Sequence, residues 1–81
     1  MQMSRRGFYD VFVEDELVKI VVDISGMDPK DIWLGVSMKK NSFIIKYVVT
    51  NVVLEIPIPV LIKEEFIWDV HNGVLSTEIK R

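Results

Sequence analysis

The chain has 81 residues, 49% of them apolar and 27% Asp, Glu, Lys or Arg, with a net charge of −2 and no cysteine. That length accommodates one hydrophobic core and no second, and the missing thiols exclude disulfides, thiol catalysis and thiolate metal sites. The basic pairs Arg5-Arg6, Lys39-Lys40 and Lys80-Arg81 stand far apart, so the clustered charge of a nucleic-acid binder is missing.

Residues 1–7 hold two arginines with no apolar run behind them, and they read as a short N-terminal arm and not a secretion signal. The most apolar stretch, Phe43 to Ile62, carries Lys46, Glu55, Pro57 and Pro59 and alternates, which argues against a membrane span. A cytoplasmic location with no membrane partner is expected.

Period-two alternation then dominates, predicting strands near 8–13, 17–24, 32–38, 42–49, 52–58, 66–71 and 74–79. Val18, Ile20, Val22 and Ile24 share one face; so do Ile32, Leu34, Val36 and Met38, and Phe43, Ile45, Tyr47 and Val49. Leu54, Ile56 and Ile58 continue the pattern, followed by Phe66, Trp68 and Val70. Polar connections fall at Asp15-Glu16 and Lys39-Lys40-Asn41, with Thr50-Asn51 a two-residue hairpin candidate and Asn72-Gly73 the strongest hairpin signal. Asp28-Pro29-Lys30-Asp31 reads as one helical turn, with Asp28 as N-cap and Pro29 first in the helix. Pro57 and Pro59 lack the N–H that an interior strand donates, so the fifth strand is expected to lie at an edge or to end there. Seven short strands in residues 8–81 predict an all-β domain, an antiparallel immunoglobulin-like β-sandwich or a small barrel.

Chemistry is sparse. His71, the only histidine, has Asp69 on its face and Ser76 or Thr77 across the hairpin, a thin basis for nucleophilic catalysis. No catalytic residue, metal site or cofactor is expected, because one histidine with scattered carboxylates and ungrouped glycines offers neither ligand set nor phosphate cradle. Trp33, Phe43 and Tyr47 lie among mixed charges, unlike a single-strand nucleic-acid groove. Apolar residues opposite the core face, Trp33, Ile44, Val48, Val53 and Ile67, are the functional lead, since an exposed apolar patch marks a protein-binding surface.

Asp23-Ile24-Ser25-Gly26-Met27-Asp28-Pro29-Lys30-Asp31-Ile32 resembles the "DLPGV-x-KEDI" segment of the alpha-crystallin domain of small heat-shock proteins. Asn41-Ser42-Phe43-Ile44-Ile45, Leu54-Glu55-Ile56-Pro57 and Asn72-Gly73-Val74-Leu75 resemble three further motifs of that domain, in the same order. The resemblance implies a seven-stranded sandwich and a chaperone that holds unfolded clients without ATP. It also implies a groove between the third and sixth strands, lined here by Ile32, Trp33, Leu34, Val36 and Met38 and by Phe66, Trp68 and Val70. Where many family members carry a swapped loop, only Thr50-Asn51 is expected here, and without the family's C-terminal tail within these 81 residues large oligomers of the usual kind are not expected. The expectation is therefore a minimal form similar to CS-domain co-chaperones, either a holdase or an adaptor without holdase activity. Ile56-Pro57-Ile58 spells the family's Ile-x-Ile but belongs to the predicted core. Val48, Val49, Val52 and Val53 crowd one hairpin and are read as a self-association edge that would give a homodimer.

Overall fold

A computed structural model describes residues 9–81; the N-terminal arm and Phe8 lie outside them. The strands are β1 (Tyr9–Val13), β2 (Leu17–Asp23), β3 (Ile32–Ser37), β4 (Ser42–Tyr47), β5 (Val52–Pro57), β6 (Phe66–His71) and β7 (Val74–Lys80). All pairings are antiparallel. One sheet runs β1-β2-β7-β6 and the other β3-β4-β5, so the sandwich expectation holds over the barrel.

Alternation builds the core. Val18, Ile20 and Val22 of β2, Leu75 and Ile79 of β7, Phe43 and Ile45 of β4 and Ile56 of β5 are buried between the layers, with Ile24, Ile58 and Ile62 from the crossings. Phe43 meets Phe66 edge to face across the layers, centroids 5.4 Å apart and planes at 81°. Two buried hydroxyls are satisfied: Thr77 donates to the Ile67 carbonyl at 2.6 Å and Ser42 to a Glu55 carboxylate oxygen at 3.1 Å. Ile56 and Ile58 are buried and Pro57 exposed, as expected of a core segment.

The turns follow their residues. His71 pairs with Val74, and Asn72 and Gly73 between them have φ of 52° and 77°, the positive pair of a type I′ turn. The Gly73 carbonyl accepts from Ile24 N–H at 2.9 Å, tying this hairpin to the end of β2. Pro29–Asp31 form the single 3₁₀ turn, with the Asp28 carboxylate accepting from Lys30 N–H at 3.1 Å. One expectation is corrected. Tyr47 pairs with Val52, so Val48 to Asn51 form a four-residue loop and not a two-residue hairpin. The reason is partly tertiary: Val48 N–H turns to the distant Asp31 carbonyl at 3.0 Å, and Asn51 takes the positive φ of 62° that returns the chain. β4 therefore stops at Tyr47, and Val49 does not continue its inward row.

Strands β3 and β6 are edges on one side of the sandwich, β1 and β5 on the other. Ile58 N–H donates to the Asn41 carbonyl at 3.1 Å, which sets the parity of the β4–β5 ladder. Val53 and Glu55 consequently direct their backbone N–H groups outward, and Pro57, at the next outward position, has none. The fifth strand lies at an edge, as its prolines required.

Candidate functional site

On the β3/β6 side, Ile32 and Leu34 of β3 and Trp68 and Val70 of β6 come together with Pro29 and Leu75 around a recess of about 10 Å³. Ile32, Leu34 and Val70 are half-buried against the core, while Trp68 stays 53% exposed and covers the recess from the β6 side. The indole thus occupies the cleft and not the core beneath it, leaving space for one water at most, for which ~10–15 Å³ is needed. Among the described residues, both bordering strands lack a sheet partner on their outer sides, so backbone donors and acceptors flank an apolar strip.

Of the remaining residues expected in this groove, Val36 and Phe66 are half-buried against the core like Ile32, Leu34 and Val70, and Met38 sits in the β3–β4 turn. Trp33 lies on the outer face of β3, 55% exposed, its ring so close over Gly35 that a Cβ there would overlap it. Strand parity explains the split, because Trp33 and Leu34 are consecutive and point to opposite faces.

A second apolar region lies at the hairpin joining β4 to β5. Val48, Val49, Val52 and Val53 are between 52% and 64% exposed, and the free edge of β5 starts there. Beside them opens a recess of about 180 Å³, lined mainly by Val22, Ile24, Met27, Ile45 and Leu54, with Asp23 and Tyr47 as its polar groups. The sequence did not reveal this recess. Its walls come from segments up to 32 positions apart, and no local pattern records that they meet there.

The residues weighed for catalysis are not assembled. Thr77 faces the interior with its hydroxyl committed to Ile67, whereas Asp69 pairs with Ser76 and His71 with Val74 at exposed positions. Among the described residues, no group of three or more His, Asp or Glu could hold a metal ion, and no helix is long and apolar enough to cross a membrane.

The chain matches no family model, and no curated protein matches it. Among solved structures, the A102D mutant of hsp14.1 from Sulfolobus solfatataricus P2 superposes with a TM-score of 0.74 at 24% identity, over 90% of this chain and 75% of that one. The fold is similar to that of a small heat-shock protein. The likeness bears out the alpha-crystallin-like sandwich that the sequence motifs implied. Those motifs occupy structural positions: "DISGMDPKDI" spans the crossing from β2 through the 3₁₀ turn into β3, and "NGVL" makes the β6–β7 turn and opens β7.

Proposed function

We propose that the protein acts as a small heat-shock-protein-like holding module, binding partly unfolded or partner proteins in the cytoplasm through apolar contact, without ATP and without catalysing a reaction. The supporting observation is the strip of Ile32, Leu34, Trp68 and Val70 between two unpaired strand edges. An extended client segment meets there both apolar side chains, at ~25 cal/mol per Å² removed from water, and free backbone groups. Apolar contact is non-directional, which suits clients of varied sequence.

The test is the aggregation of a heat-denatured client with excess protein and no nucleotide. Suppression is expected, and none at several-fold excess sinks the holdase reading. Trp68→Glu is expected to weaken client binding about tenfold or more, as for a buried tryptophan anchor, while melting close to the parent, because Trp68 is half exposed.

A second reading rests on the exposed valines. Val48, Val49, Val52 and Val53, with the outward N–H groups of Val53 and Glu55, form an edge that a second copy can extend into a continuous sheet. Sedimentation velocity is expected to show a concentration-dependent dimer, abolished by Val48→Lys with Val53→Lys. A parent chain that sediments as a monomer at the highest concentration removes this reading.

A further inference from the structure

A groove of about 390 Å³ opens at the end of the four-stranded sheet where β2 and β6 begin and β7 ends, and it shares no lining residue with the β3/β6 strip or the valine hairpin. Its apolar floor is made by Leu17, Phe66, Ile67 and Ile79. Strand parity brings part of that floor to the surface: Phe66 and Ile79 pair in the inner row, whereas Ile67 pairs with Glu78 in the outer row and is 67% exposed.

Glu64, Glu65, Glu78 and Lys80 form the rim. The segment carrying the acidic pair is held against the end of β7, with Lys63 N–H donating to the Lys80 carbonyl at 2.7 Å and Lys80 N–H to the Glu65 carbonyl at 3.0 Å, and buried Ile62 anchors it just ahead. Three carboxylates thus face one ammonium around an apolar floor, in a chain whose net charge is −2. Lys19 stands opposite Glu78 in the ladder and Lys63 precedes the acidic pair, and neither lines the groove. An apolar floor alone is indifferent to the charge of a partner. The carboxylate rim is not, because it repels acidic chains and steers basic ones into place. Lysine and arginine suit both parts, since their methylene stems lie along apolar surface while their charged heads reach the rim.

We propose that this groove is a docking site for a basic segment of a partner protein, one in which apolar side chains alternate with lysine or arginine. The apolar side chains seat on Leu17 and Ile67, and the cations meet Glu64, Glu65 and Glu78. The volume lies at the lower end of the ~300–1,000 Å³ of ligand clefts, room for a short run of side chains and not for a domain surface. The site is additional to the holding strip and does not depend on it.

Fluorescence anisotropy of dye-labelled peptides with the full chain tests this, and with no denatured client present the outcome is independent of holding activity. A peptide alternating lysine with leucine is expected to bind saturably. Replacing each lysine by glutamate, or each leucine by serine, should weaken binding about tenfold or more, and raising salt from about 0.05 M to about 0.5 M should weaken it several-fold as the rim is screened. Glu64→Lys with Glu65→Lys should also cost about tenfold or more, and Ile67→Ser several-fold, at exposed positions where the variants should melt close to the parent. Asp10→Lys with Asp31→Lys, the same charge change outside the groove, should cost about twofold at most. Equal losses from the two double variants overturn the proposal in favour of attraction by net charge alone. Equal binding of the lysine and glutamate peptides overturns it in favour of unselective apolar contact, and no saturable binding of the lysine peptide at about millimolar concentration overturns it outright.

Discussion

Phe43→Ala is expected to destabilise the protein by about 3–5 kcal/mol, the cost of removing a fully buried aromatic side chain. Phe43 is the largest of the fully buried side chains, on the central strand of the three-stranded sheet, with Val36 and Ile56 as its cross-strand neighbours. It is also where the two layers touch through the edge-to-face contact with Phe66, a geometry that adds ~0.5–1.5 kcal/mol beyond area burial. A domain of this size has roughly 5–15 kcal/mol of stability in all, and each kcal/mol moves the melting temperature by about 4–8 °C. The midpoint should therefore fall by tens of degrees, or the cooperative transition should vanish. Calorimetry and urea titration measure this. A fall of only a few degrees would mean that the layers collapse to fill the space, and that Phe43 does not organise the core. Phe43→Leu, which keeps most of the volume, should lose far less.

The second large effect is expected at Asn41. Its side-chain amide donates to the Ile58 carbonyl at 2.9 Å and the Val60 carbonyl at 2.6 Å, and its backbone has φ of 53°. One residue thus closes the β3–β4 turn and pins the chain that leaves β5. Asn41→Leu removes both bonds and places a branched side chain in a left-handed conformation, with an expected cost of about 2–4 kcal/mol from two hydrogen bonds and the backbone term. Asn41→Gly keeps the backbone freedom and removes only the bonds, so it should cost about 1–3 kcal/mol. The difference between the two variants in urea unfolding isolates the conformational term. Equal and negligible losses would show that water replaces the amide at both carbonyls.

Phe43 and Asn41 differ in how far the sequence foretold them. The inward role of Phe43 was legible, because Phe43, Ile45 and Tyr47 alternate with Ser42, Ile44 and Lys46 and a strand's side-chain period is two. Asn41 read only as part of a polar connection. Its partners lie 17 and 19 residues onward, and nothing local announces a hydrogen bond to them. The same division runs through the candidate site. Ile32, Leu34 and Val70 could be assigned inward by parity, but Trp68 has the same parity and remains half exposed because it borders an edge. Val48 and Val49 read as strand by propensity, and a long-range bond to the Asp31 carbonyl made them loop.

By itself, the sequence determined the seven strands to within about two residues at their ends, the Asn72-Gly73 turn, the capped turn at Asp28-Pro29 and most residues of the core, since each depends on dihedral preference or on a period spanning a few neighbours. Only the tertiary structure decided that β2 pairs with β7 across some 50 residues, that β3 and β6 are left as facing edges, and that a recess opens between β2 and the β4–β5 hairpin. Those outcomes depend on how two twisted layers cover one another, and a strand's own residues do not encode which neighbour completes that cover.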